Sequence, residues 1–231
     1  MIPDLRTRAS YLAEIMDEAG CDETRLANTY RDFDRVNALL SGWRGLYTRR
    51  IRPVLQEAGS GATVLDIGCG GGDVLRKLAV WAKQDGLTAH FIGADPDDRA
   101  IAYAKAAGES ANLRFYTAAS GDLVNAGRCF TIVLSNHVLH HLTTAQVADL
   151  CADSQRLAER FALHADICRH PVAYTAFPAV GAWFRKSYIL TDGLASIRRS
   201  FTPEELRQVV PHGWHVQTAF PFRLHLEWTF H

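Results

Sequence analysis

No excess of either charge marks the 231 residues. Lys plus Arg and Asp plus Glu each number 25, so the formal net charge is zero at pH 7. A broad basic field that would gather nucleic acid is therefore missing, which argues against a nucleic-acid partner. Long apolar runs are missing too. None approaches the roughly 18 residues of a membrane-crossing helix, so no membrane span is expected. The opening stretch MIPDLRTRASYLAEIMDEAG lacks an uninterrupted apolar core and does not read as a signal peptide. Cysteine is sparse and scattered. Cys21, Cys69, Cys129, Cys151 and Cys168 are odd in number, far apart, and form no CxxC pair. That disfavours a disulfide framework or a cysteine metal site and points to a reducing, cytoplasmic setting. No repeat or low-complexity linker divides the chain. Its length suits one α/β domain with an added cap.

What is present falls into two parts, residues 1–57 and 58–231. The first reads as a helical cap. Leu5, Ala9, Leu12, Met16 and Ala19 recur at helical spacing, and Gly20 ends that pattern. Asp22 can cap a second helix carrying Leu26, Tyr30, Phe33, Asn37 and Leu40, and a third starts near Trp43. From Thr63 short apolar runs alternate with helical ones. TVLDIG, HFIGAD, LRFYTA, FTIVLSN and RFALHADI read as five strands of a parallel sheet covered on both faces. WHVQTAF and RLHLEWTF are joined by too few residues for a helical crossover, so they should pair antiparallel. The expectation is a Rossmann-like, mainly parallel seven-stranded α/β sheet closed by an antiparallel hairpin. An insert over about 169–202 holds Tyr174, Phe177, Trp183, Phe184 and Tyr188. Thr202, Pro203 and Glu205 then spell a helix start.

The segment DIGCGGGDV lies between a strand and a helix. There Gly68, Gly70 and Gly72 allow a tight turn and close approach of a ligand to bare backbone. Asp95 ends the second strand, where a carboxylate can accept both hydroxyls of a ribose. Two cofactors fit at this point. A dinucleotide prefers the spacing GxGxxG, whereas this chain has GxGxG, with Asp66 two residues before the first glycine. A carboxylate is awkward beside a pyrophosphate and useful beside a cation.

This combination resembles the first motif of the class I S-adenosylmethionine-dependent methyltransferases. The resemblance implies that Asp66, Gly68, Cys69, Gly70 and Gly72 line the methionine side of S-adenosylmethionine. By the same resemblance Asp95 takes the ribose, Pro96 lies beside the adenine, and Asn136 follows the fourth strand where the family's backbone meets the cofactor. The family often has Gly-Asp after the third strand. This chain has Ala118 and Ala119 there, leaving Ser120, Asp122 or a backbone carbonyl for the adenine amine. YRDFDRVNALLSGWRGLY is similar to a segment that closes over the cofactor in ubiquinone/menaquinone-biosynthesis methyltransferases, which makes Tyr30, Asn37 and Arg44 candidate lid residues.

SNHVLHHL places His137, His140 and His141 where the fourth strand gives way to its helix, at the carboxyl ends where such sheets bind ligands. Histidine has the pKa range of a general base for a phenol or alcohol. His140, then His141, is the expected base, with Asp166 as orienter. The pattern His-x-x-His-His disfavours magnesium, and no metal is expected, although zinc or iron is chemically compatible. The aromatic insert reads either as a packed cap or as the wall of a greasy pocket. The expected reaction is O-methylation of a phenolic or polyketide-type small molecule. C-methylation of a quinol, a nicotinamide-dependent oxidoreductase and a non-catalytic cofactor-binding module are the alternatives.

Overall fold

The molecule, described by a computed structural model, is defined over residues 3–230. Met1, Ile2 and His231, which end the two expected ranges, lie outside the described residues. The strands are β1 (Ala62–Ile67), β2 (Ala89–Asp95), β3 (Leu113–Thr117), β4 (Phe130–Asn136), β5 (Ala158–Ile167), β6 (His215–Ala219) and β7 (Arg223–Thr229). They form one seven-stranded sheet in the order β3-β2-β1-β4-β5-β7-β6. The first five pair in parallel, and β7 joins β5 and β6 antiparallel. β1 and β4 are apolar on both faces, as central parallel strands must be. The strand order reverses between β1 and β4, so a crevice opens at their carboxyl ends.

The helices are α1 (Glu23–Leu40), α2 (Trp43–Leu46), α3 (Arg52–Ala58), α4 (Asp73–Gln84), α5 (Asp98–Ala106), α6 (Ser120–Asn125), α7 (Thr144–Leu157), α8 (Pro171–Gly181), α9 (Ile189–Arg199) and α10 (Pro203–Val209). A π-type turn, Tyr47–Ile51, makes α2 and α3 one continuous rod. Asp22 caps α1 by accepting from the Arg25 amide, and Thr202 caps α10. One apolar layer packs Tyr47, Ile51 and Leu55 with Leu78, Phe91 and Phe115. The opposite layer packs Leu65, Val133, Leu139, Leu150, Phe201 and Leu226.

The expected helix over Leu5 to Ala19 does not form. Residues 3–21 run as a strap over the crevice, with one short turn at Ile15–Asp17. Tertiary partners replace the helix's own hydrogen bonds. The Asp192 carboxylate accepts from the Ile15 and Met16 amides. The Arg169 guanidinium donates to the Leu5 and Arg6 carbonyls, and Arg199 donates to Leu12. A helical spacing of apolar residues is thus overridden by side chains that bind the backbone directly. The aromatic insert folds as the pair α8 and α9.

Candidate active site

The turn after β1 is shaped by three left-handed glycines, Gly68 (φ 67°), Gly70 (φ 51°) and Gly72 (φ 76°). The Gly68 and Cys69 amides donate to the Ala94 carbonyl, and the Gly70 amide to Asp95 Oδ2 at 2.8 Å. Asp66 lies beneath this turn, buried, with Oδ1 making no hydrogen bond. Burial, reinforced by the Asp73 and Asp95 charges, pushes its pKa up to about 8. Asp73 is likewise raised by burial and is held by Asn37 Nδ2 at 3.0 Å.

A cavity of about 830 Å³ opens over the turn. It brings together Asp66, Gly68, Cys69, Gly70, Asp95, Pro96, Ala119, Asn136, Tyr30, Asn37, His140 and His141. Tyr30 stacks on Tyr103 at 5.1 Å and lies against Gly71, where an added Cβ would sit 3.0 Å from its own. Ser120 reaches the cavity, whereas Asp122 spends its carboxylate on the Ala119 amide. Asp166 stands behind His140, buried.

Three expectations need correcting. Arg44 is outside the cavity; its guanidinium stacks over Trp81 and Tyr47, 5.1 and 5.5 Å from the ring centroids. Gly72 does not line the cavity either. A Cβ there would lie 2.5 Å from the Phe115 ring, so this glycine serves packing. Gly72→Ala is expected to cost about 2–4 kcal/mol, from left-handed strain plus overpacking. Chemical denaturation would measure it, and an unchanged midpoint would refute the packing role. Finally, the aromatic residues of the insert do not wall the cavity; of residues 169–202 only Ser196 lines it. Trp183 is 85% exposed and borders a separate outer groove of about 910 Å³ between α1 and α8. The cavity's apolar wall comes instead from Met16, Phe33, Ile67, Val138 and Leu142.

At the far end, His137 adopts φ 61°, a strained conformation for a residue with a Cβ. Its Nε2 faces Arg223 Nη1 at 3.1 Å, and Arg223 also donates to Asn136 Oδ1 at 3.0 Å. Burial and Arg223 hold its pKa well below the usual histidine range. His140 is 2% exposed. Its amide donates to Asp166 Oδ2 at 2.9 Å, and its Nδ1 lies 2.8 Å from Asp166 Oδ1. Its Nε2 stands 3.2 Å from Glu14 Oε1 but makes no aligned hydrogen bond. Burial alone would depress this pKa; the Asp166 and then the Glu14 carboxylate outweigh it and raise it to about 10. The expectation of a neutral base near pH 6.5 therefore does not hold for His140 as it is seated here. Glu14 opposes its own burial through His140, His141 and Ser196, which bring it down to about 2.

His141 is 30% exposed, with Nδ1 3.2 Å from Asp17 Oδ2 and Nε2 3.8 Å from Glu14 Oε2. Sequence reasoning missed Glu14 and Asp17. Both lie on the strap, and no local motif announces that a non-helical segment will cross the site.

Residues 64–160 match the family described as methyltransferase domain. A ubiquinone biosynthesis O-methyltransferase of Rhizobium etli is 37% identical over 91 residues, which is 38% of this chain and 34% of that protein. Its counterpart in Sinorhizobium fredii is 34% identical over 84 residues, 36% of this chain and 32% of that one. The chain thus covers about a third of the length of the curated relatives it matches. Among solved structures, the plantazolicin methyltransferase BpumL with a pentazolic desmethylPZN analog and SAH has a TM-score of 0.59 at 13% identity, covering 89% of this chain and 94% of that one. Human N-acetylserotonin methyltransferase with SAM has 0.58 at 10% identity, covering 87% and 54%. At these identities the structural likeness is one of fold.

Proposed function

From the match of residues 64–160 to a methyltransferase domain, we propose that the chain is a class I S-adenosylmethionine-dependent methyltransferase and methylates a hydroxyl oxygen of a neutral, hydrophobic small molecule, such as a phenol or polyketide-type aromatic. The observation that carries this reading is Asp66, a buried carboxylate with an unpartnered oxygen beneath a glycine turn. It fits the cationic amino-acid end of the cofactor. Bound there, S-adenosylmethionine supplies a methyl group on a sulfonium, already a strong electrophile.

The chain's own residues then have three tasks. Asp66 neutralises the ammonium, and the turn at Gly68, Cys69 and Gly70 lets backbone approach it. Asp95, Pro96, Ala119 and Asn136 hold the nucleoside, with Asp95 accepting from the ribose. Tyr30 and the strap exclude water, and the His140–His141 end receives the acceptor oxygen and eases the loss of its proton, with Asp166 positioning His140. Eight carboxylates and one guanidinium, Arg99, line the cavity, which disfavours an anionic acceptor. Oxygen rather than carbon is supported by the names of the curated relatives. Five free cysteines among the described residues are compatible with a cytoplasmic setting.

Asp95→Ala is expected to weaken cofactor binding about tenfold or more, because the carboxylate serves the ligand and also tethers the Gly70 and Asp97 amides. Isothermal titration measures it, and an unaltered affinity would remove Asp95 from the site. The function is tested by titrating the chain with S-adenosylmethionine and with NAD. Product mass spectrometry follows, over phenols, quinols and amines. Binding of NAD alone, or tight cofactor binding with no methylated hydroxyl in the screen, would defeat the proposal.

A further inference from the structure

Three lone-pair donors converge at the acceptor end of the cavity. One ligand atom from each of Glu14, His140 and His141 lies within 4.8 Å of the others, with His140 Nε2 3.2 Å and His141 Nε2 3.8 Å from the Glu14 carboxylate. Each imidazole has its other nitrogen against a second carboxylate. His140 Nδ1 faces Asp166 at 2.8 Å, and His141 Nδ1 faces Asp17 at 3.2 Å. A hydrogen on each Nδ1 satisfies those two carboxylates. It also leaves both Nε2 lone pairs beside Glu14, which offers further lone pairs. Such an arrangement is repulsive unless a positive charge sits at its centre.

A proton on His140 Nε2 is one candidate charge. It would be expected to align with Glu14, and no aligned hydrogen bond is present although the nitrogen is buried. One proton also leaves unexplained why His141 converges on the same carboxylate. A metal ion answers both points. Two imidazoles and one carboxylate, each imidazole backed by a carboxylate through its remote nitrogen, are a donor set for zinc or ferrous iron. The charge-dense oxygen cages that magnesium and calcium prefer are absent from these three ligands.

We propose that Glu14, His140 and His141 bind one zinc-class divalent ion, with Asp166 and Asp17 orienting the two imidazoles. Ser196 Oγ, donating to Glu14 Oε1 at 2.7 Å, fixes the third ligand. His141 is the exposed member, so the open coordination position faces the cavity, where it can accept an uncharged oxygen donor. Because Glu14 belongs to the strap, metal binding also ties residues 3–21 to the end of β4. The inference rests on ligand geometry alone and holds whichever acceptor the chain uses.

The test uses the full, untagged chain, stripped with a chelator, mixed with zinc chloride and gel-filtered. About one zinc per chain is expected by elemental mass spectrometry. Cobalt in its place should give the visible absorption of a low-coordinate nitrogen–oxygen site. Glu14→Gln and His141→Ala should each weaken zinc binding at least about tenfold, and Asp17→Asn about tenfold through His141. His141→Ala removes a partly exposed ring, and circular dichroism checks that it stays folded. His137→Ala should leave zinc affinity unaltered. A wild-type chain that retains no zinc overturns the proposal. So does wild-type zinc affinity in both Glu14→Gln and His141→Ala, or a loss confined to His137→Ala. SAH affinity, measured on the same samples, separates failure of this site from failure of the cofactor assignment.

Discussion

Asp66→Asn is expected to lower affinity for S-adenosylmethionine by about 10²-fold while raising the melting temperature of the unliganded chain. The two effects share one cause. Asp66 is buried beside Asp73 and Asp95, and its pKa is pushed up to about 8. An acid whose folded pKa is raised costs nothing below its unfolded value near 3.8. The cost grows as pH rises toward 8 and is constant above it. At pH 7 it amounts to about 4 kcal/mol, of which an uncharged amide of the same shape should recover a part. Recovery of about 1–2 kcal/mol would raise the melting temperature of a chain this long by about 2–8 °C. Cofactor binding reverses the sign. A buried ammonium stabilises the carboxylate, and losing one partner of such a pair costs about 2–5 kcal/mol, or roughly 30-fold and upward. Binding should release a proton below about pH 8, so affinity rises with pH between 6 and 8 in the wild type and is flatter in Asp66→Asn. Calorimetry in two buffers of different ionisation enthalpy reads that proton. A variant that binds as tightly as wild type, or melts lower while losing no affinity, would show that Asp66 supports the turn and does not meet the ligand.

The fold was legible because its signals are local. Apolar runs of strand length, the turn residues of DIGCGGGDV, and the Thr202-Pro203-Glu205 cap each act within a few residues. The short link around Pro221 permits only an antiparallel pairing of β6 and β7. The glycine-turn end of the cavity was legible for the same reason. Gly68, Gly70, Asp66 and Asp95 sit at the carboxyl ends of β1 and β2, where the topology alone brings them together. The histidine end of the cavity was only half legible. His140 and His141 follow β4 and Asp166 lies near the end of β5, but Glu14 and Asp17 arrive on a strap whose path is set by Asp192, Arg169 and Arg199, all more than 150 residues away in sequence. Leu5, Ala9, Leu12 and Met16 keep a helical rhythm there, yet of these only Ala9 is buried. Gly72 was misread for a related reason. Its motif position is that of a cofactor glycine, but its neighbour is Phe115, on a strand two places away in the sheet. Trp183 shows the converse error, because an aromatic residue in an insert can face outward.

On a weakly acidic hydroxyl acceptor, turnover should fall about 10²-fold or more in both His141→Ala and His140→Ala, and stability should separate the two variants. His141 is part-exposed, so its loss should leave the melting temperature of the metal-free chain and its cofactor affinity nearly unaltered. His140 is different. Its ring stands between Glu14 and Asp166, both buried, and its removal leaves two carboxylates facing each other without a cation. Breaking a buried charge pair in this way costs about 3–5 kcal/mol, which for this chain length is a fall of about 6–20 °C. Turnover loss in His140→Ala is therefore read only on protein shown to be folded at the assay temperature. The acidity of the acceptor provides the internal control. An acceptor already ionised at the assay pH needs no help in losing its proton, so the same variants should slow its methylation much less. A loss that is equal on ionised and un-ionised acceptors would assign the histidines to positioning alone. If His141→Ala keeps wild-type turnover on the weakly acidic acceptor, the oxygen is activated elsewhere in the cavity. His137, strained and held by Arg223, would then be the next residue to test.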